Sequence, residues 1–352
     1  MTSKAETTAW RMPAEWEPHQ ATWIAWPQRS SDWPGKFAPI PWVYAEIVRH
    51  LQHSEPVHIL IDDAAAETKA AKVLAHCDID PLRIHFFRIP TNRVWTRDHG
   101  PIFVHDTEGK LAGSDWNFNA WAKYTDFDRD VHVARRILTK LKLRSLRPHW
   151  RDRWVVLEGG SIDVNGQGLL LTSEECLLSD EQARNPGWKR EDYERVFADY
   201  LGIRKVLWLG RGIAGDDTHG HIDDLARFTG PRTIVTVVEE HSGDANYAPL
   251  QENLERLRSM TGLDGKRFEI VTLPMPEALY FRGQRLPASY ANFYIANDRV
   301  LVPTFNDPHD RVALGIIAEL FPGRKVIGIH SVDLVWGFGT LHCLTQQQPA
   351  TQ

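Results

Sequence analysis

The feature that most constrains this chain is a step of about sixty residues. Helix-like segments begin near residues 62, 130, 190, 249 and 308, and short β-branched runs that read as buried strands accompany each of them. The pattern is clearest in VHILI (57–61), DDAAAETKAAKVLAHC with Asp62 or Asp63 as N-cap, and IHFFRI (84–89). It returns in VARRILTKL (133–141) with WVVLE (154–158), and in REDYERVFADYLG (190–202) with KVLWLG (205–210) and RTIVTVV (232–238). PLQENLERLRSM (249–260) with RFEIVTLP (267–274), and DPHDRVALGIIAELFPG (307–323) with KVIGIHS (325–331), complete it. Asn165-Gly166 marks a hairpin. No residue-level repeat accompanies the step, and no Ser/Pro/Gly-rich linker divides the chain. The expectation is an α/β protein of quasi-repeated units forming a single domain over 1–352.

Four polar clusters follow the same step: WTRDHGP (95–101), Glu158-Gly-Gly160, DDTHGHIDD (216–224), and GFGTLHC (337–343). Asp98 and Glu158 are 60 residues apart, Glu158 and His221 are 63 apart, and His221 and Cys343 are 122 apart, close to two steps. Loops leaving the same end of successive strands meet at one mouth, so Asp98, Glu158, His221 and Cys343 are expected in one site. Cys343 lies in a glycine-loosened, polar stretch suited to a nucleophile, whereas Cys77 and Cys176 read as ordinary buried thiols. If 221–223 is a strand, His221 and Asp223 share a face. A glutamate ending the apolar run WVVL requires a partner or a function.

Carboxylates beside a thiol raise its pKa, which hinders an ordinary cysteine hydrolase. The combination makes sense when the substrate is itself a cation. A guanidinium presents paired N–H donors that carboxylates accept bidentately, and its charge offsets that of a thiolate. Asp98 and Asp223 would hold such a group with its carbon facing the sulfur. Three other uses of these residues stay open on sequence: a metal-dependent hydrolase built on His219, His221 and Asp223; a binding module without catalysis; and deimination of arginine or peptidyl-arginine.

MPAEWEPH (12–19), WTRDHGP, FNAW (118–121), LEGGSIDVNG (157–166), TSEECLL (172–178), DDTHGHIDD and LHCLTQQQP (341–349) span nearly the whole chain. Through them the sequence resembles the agmatine deiminase branch of the guanidino-group-modifying superfamily. The resemblance implies a five-unit α/β propeller, the pentein fold, with the site on its central axis. It implies Cys343, His221, Asp98, Asp223 and Glu158 as the catalytic set, no cofactor and no metal, and conversion of agmatine to N-carbamoylputrescine. Two stretches depart from the family pattern: Gly337-Phe-Gly-Thr340, where Gly-Gly-Gly-Asn is common, and residues 32–51.

The amine end of such a substrate calls for a carboxylate or an aromatic wall, and Glu17, Asp216, Asp217, Trp95 and Trp121 are candidates, with Gly339 giving close approach. A net charge of −5 argues against a general polyanion binder, so the expected partner is a small cationic guanidine rather than a nucleic acid. Three scattered cysteines, no apolar leader and no apolar run of membrane length lead to the expectation of a cytoplasmic protein that does not enter a membrane. A homodimer is an open possibility, with residues 40–51 as core or interface.

Overall fold

The computed structural model describes residues 10–351. Its regularity lies in the sheets. The strand His19–Ala25 runs parallel to Val57–Ile61 across the helix Ile40–Leu51, and a second helix, Ala64–Ala75, leads to the parallel strand Ile84–Arg88. Leu111–Ser114 is joined to Arg144–Leu146 through Val133–Leu141, and Leu169–Ser173 to Lys205–Leu209 through Arg190–Leu201. Thr233–Val238 is joined to Glu269–Pro274 through Tyr247–Ser259, and Arg299–Thr304 to Lys325–His330 through Pro308–Leu320. Parallel neighbours need a crossover of this kind, which is why the sequence step is as long as it is.

Each first strand of these pairs also has an antiparallel neighbour on its other side. These neighbours are Ile102–His105, Asp163–Val164, Ala226–Phe228, Tyr294–Ile295 and Thr345–Pro349. The last of them pairs with His19–Ala25, so the C-terminal strand is stitched to the first one. Strands flanked on both sides read as apolar runs: all five residues of Leu169–Ser173 are buried. The result is a mixed α/β architecture.

The expected helices begin within three residues of where the sequence placed them. Asp63 is the N-cap of its helix, accepting from the Ala66 N–H at 2.8 Å. Asn165-Gly166 does form a hairpin, held by Asn165 Oδ1, which accepts from the N–H groups of Gln167 and Leu169. Other expectations need correction. Only Trp154 of WVVLE lies in a strand, a two-residue ribbon edge. Val156 bonds instead to the side-chain amide of Asn185 through both its N–H and its carbonyl, so a side chain replaces the missing strand neighbour. The strand at 345–349 is hidden by its three glutamines, two of which are bonded in the interior: Trp23 donates to Gln348 and Arg97 to Gln347.

Short turns precede the antiparallel strands: Thr96–His99, Gly159–Ser161, Ile222–Asp224 and Leu341–Leu344. They pack against one another, and they carry the polar clusters singled out in the sequence. No helix among the described residues is long and apolar enough to cross a membrane.

Candidate active site

The Cys343 sulfur lies 3.6 Å from Asp223 Oδ2. His221 Nδ1 is 3.9 Å from Asp98 Oδ1 and 4.0 Å from Asp223 Oδ1, and its Nε2 is 3.7 Å from Glu158 Oε2. All five side chains are buried. His221 and Asp223 converge without the strand the sequence suggested. They lie on a 3-10 turn, with His221 at its N-cap, and Asp216 Oδ2 fixes the approach by accepting from the N–H groups of Gly220 and His221.

Each acid is held differently. Asp98 accepts from the Trp121 indole N–H at 2.9 Å and from the Gly160 N–H at 3.0 Å. Trp121 reaches it from a left-handed run, with φ of 50°, 57° and 52° at Ala120, Trp121 and Ala122. Such backbone is costly for residues with a Cβ, and it persists here beside a carboxylate that the chain must aim. Glu158 is gripped by Arg184 at 2.9 Å, with neither side chain exposed. Asp223 Oδ2 bonds His342 Nδ1 at 2.7 Å. Gly160 is the closest-fitting part: a Cβ there would meet His221 Nδ1 at 2.5 Å, Asp98 Oδ1 at 2.9 Å and Asp223 Oδ2 at 3.1 Å. A pair of glycines that meant little in sequence is therefore required by contact. Arg184 was missed altogether, and its only signal is the arginine that a buried Glu158 demands.

Four polar atoms here have no hydrogen-bond partner in the protein: both ring nitrogens of His221, Asp223 Oδ1 and Glu158 Oε2. Buried groups are normally paired, so unspent bonding capacity concentrated at one point marks a binding site. The electrostatics agree. Burial lifts Asp98 to about 6, against the pull of His221 and with help from Asp223 and Glu158. Burial would also lift Glu158, but Arg184 and His221 outweigh it and hold that carboxyl at about 2. Burial opposes charge on His221, yet Asp98 and its other neighbours raise it well above an ordinary imidazole, which favours the protonated ring. Burial, then Asp223, Asp224 and Asp98, push the Cys343 thiol well up.

A cavity of about 240 Å³ opens onto this cluster. Asp98 and Cys343 line it directly, with Trp95, Trp121, Tyr124, Trp336 and Phe338 as aromatic walls and Asp32, Arg93 and Asp217 toward the mouth. Of the residues expected near the substrate's far end, Trp95, Trp121 and Asp217 reach the cavity. Glu17 does not: it pairs with Arg11 at 2.6 Å and accepts from the Ala14 N–H. Asp216 is used on the backbone of the His221 loop. Gly339 packs behind the wall, where a Cβ would meet Trp95 at 2.7 Å and the Cys343 Cβ at 3.1 Å.

His219 turns away from His221 toward Ser179 and Glu175, so the set His219, His221 and Asp223 is not assembled as a metal site. Cys176 is more than a core filler. Among the described residues, one donor atom each from Cys176, Glu158 and His221 lies within 4.8 Å of the others.

Helix-crossed sheets thus bring a cysteine, a histidine and three carboxyl groups into one buried cluster. The match is to the Porphyromonas-type peptidyl-arginine deiminase family over residues 11–349, and the chain belongs to that family. It is 34% identical to the agmatine deiminase of Pseudomonas aeruginosa (strain LESB58), covering 99% of this chain and 98% of that one. The solved agmatine deiminase of Enterococcus faecalis superposes with a TM-score of 0.89 at 33% identity, covering 98% of this chain and 97% of the other. A cysteine-to-serine form of the C. jejuni agmatine deiminase, solved with substrate bound, superposes with a TM-score of 0.88 at 30% identity over 100% of this chain and 99% of that one.

Proposed function

We propose that this chain is an agmatine deiminase, hydrolysing the guanidinium group of agmatine to N-carbamoylputrescine and ammonia. The observation that carries the reading is the unpartnered Asp223 Oδ1, Glu158 Oε2 and His221 nitrogens clustered beside Cys343, in a family whose relatives are agmatine deiminases. We further infer that the five helix-crossed sheets form the blades of a single-domain five-unit propeller, with the turns that carry the site at its centre.

Asp98 and Asp223 take up the guanidinium's N–H donors and Glu158 the remaining nitrogen. The arriving cation lowers the cost of a thiolate among acids, and the thiol proton leaves to solvent. Sulfur then attacks the guanidinium carbon, forming the C–S bond. The C–N bond breaks, its electron pair departs with ammonia, and His221 supplies the proton. His221, now neutral, takes a proton from water as the oxygen attacks the same carbon. The C–S bond breaks, the pair returns to sulfur, the hydroxyl proton passes to that sulfur and restores the thiol, and the urea product leaves.

The cavity mouth favours an amine over a carboxylate at the substrate's far end. The lining carries three aspartates, Asp32, Asp98 and Asp217, against one arginine; Arg93 pairs with Asp32 and Asp126 at 2.9 Å each and Lys123, outside the lining, pairs with Asp217, so acids still outnumber cations. Free arginine would place its carboxylate against those acids. Ammonia release from agmatine, arginine and an arginyl peptide, with wild type and Cys343→Ala, tests the reading. Agmatine should be the preferred substrate of the wild type; faster release from arginine or the peptide would replace it with the corresponding deiminase.

A further inference from the structure

Four of the five helix-crossed units supply site residues from the turn ahead of their antiparallel strand. The remaining unit is the one stepped over by the 122 residues between His221 and Cys343. Its turn runs through Ser289 to Phe293 and enters the strand Tyr294–Ile295. Asn292 lies on it, buried, with a hydrogen-bond set that determines its orientation. Its Oδ1 accepts from the Thr340 hydroxyl at 2.8 Å, the His342 N–H at 3.0 Å and the Cys343 N–H at 3.4 Å. Two of these donors are backbone amides, which can only meet an acceptor, so they decide which end of the side chain carries oxygen. The amino end is thereby turned the other way. Its two hydrogens go to Asp224 Oδ1 at 3.0 Å and to the Cys343 sulfur at 3.0 Å.

We propose that Asn292 is a further catalytic residue, whose side-chain N–H stabilises the Cys343 thiolate before attack and again when sulfur leaves the carbon. The proposal rests on Cys343 being the nucleophile. The groups facing the sulfur explain why such a donor is needed. Asp98 comes from the turn 96–99 and Asp223 and Asp224 from the turn 222–224, with His221 and His342 beside those acids and Tyr44 on the helix Ile40–Leu51. Burial and the three aspartates all oppose negative charge on sulfur, and the Asn292 N–H works against them. The same amide holds the loop that carries Cys343, so sulfur and donor are set by one group.

The test is the pH dependence of Cys343 alkylation by iodoacetamide, read by peptide mass to separate it from Cys77 and Cys176. In that reaction the thiolate forms an S–C bond as iodide departs with the bonding pair. In Asn292→Ser, whose side chain is too short to reach the sulfur, the alkylation midpoint should rise by about one pH unit, while kcat for agmatine falls by about 30-fold or more and KM stays within about threefold. Asn292→Ala should do the same. An unmoved midpoint with kcat within twofold of wild type overturns the proposal. So does failure of both variants to fold, which would assign Asn292 to the scaffold. A moved midpoint in a protein that releases no ammonia from agmatine would support the role of Asn292 and refute the substrate instead.

Discussion

Two buried charge clusters meet in this molecule, and His342 touches both of them. On one side it bonds Glu15 Oε2 at 2.7 Å, where Arg227 also holds Glu15 at 2.7 Å and Asp163 at 2.6 Å, and donates to the carbonyl of Phe293 at 2.8 Å. There burial raises the cost of charge on Glu15, but Arg227 and its neighbours hold the carboxyl well below the usual range. On the other side it bonds Asp223, and there acids outnumber cations and four polar atoms go without partners. The first cluster ties the N-terminal segment at Glu15 to later units of the chain. The second is buried to a similar degree, yet four of its polar atoms lack partners, against one, Arg97 Nη2, beside Glu15 in the first. What separates a structural charge network from a candidate catalytic one is the unfilled valence, not the burial.

That contrast breaks first at Cys343. Cys343→Ala should lower ammonia release by at least about 10³-fold while agmatine binding by calorimetry persists. Gly160→Ala sharpens it, because the added methyl enters the space between His221, Asp98 and Asp223. Turnover should fall about 100-fold. Gly230→Ala, whose nearest neighbour would be Thr233 at an ordinary 3.7 Å, should leave kcat unchanged. The paired cluster should respond in stability instead. Arg227→Met strands Glu15 and Asp163, and chemical denaturation should show a loss of about 3–5 kcal/mol.

The smallest effect has the least familiar sign. Asp98 titrates in the folded chain at about 6 rather than 3.8, so its charge costs stability at pH values above that. Asp98→Asn should therefore stabilise the ligand-free protein by about 1–3 kcal/mol at pH 7, less the bond lost to Trp121 or Gly160, while removing activity. The gain should fade as pH falls from 6 to below 4, where the native carboxyl is protonated in both states. Glu158 behaves oppositely. Its folded value of about 2 against 4.5 contributes about 3 kcal/mol that is fully present above pH 4.5 and lost as pH falls toward 2. Melting temperatures of wild type, Asp98→Asn and Glu158→Gln across pH 3 to 8 would resolve both limbs.

Much of this was legible in the residues because the architecture repeats. Crossover helices impose a step of about sixty residues, and that step alone puts Asp98, Glu158, His221 and Cys343 in register along the sequence. Other parts were hidden for definite reasons. Asn292 carries no charge, and its unit departs from the even step, so the spacing pointed past it. Cys176 sits in the short helix Glu174–Leu178, just ahead of two leucines, and looks like a core residue; only packing brings its sulfur to His221. Glu17 was misjudged because an acid near an aromatic segment looks the same whether it meets a substrate or, as here, Arg11 and a backbone N–H. The turn at 222–224 brings His221 and Asp223 together by a geometry other than the strand alternation that suggested them.

The most direct trial is to quench the enzyme in acid during turnover of agmatine and weigh the intact chain. The account predicts a transient species heavier by agmatine minus ammonia, mapping by peptide fragmentation to Cys343 and missing from Cys343→Ala. Steady ammonia release with an unmodified chain, undiminished in that variant, would contradict it.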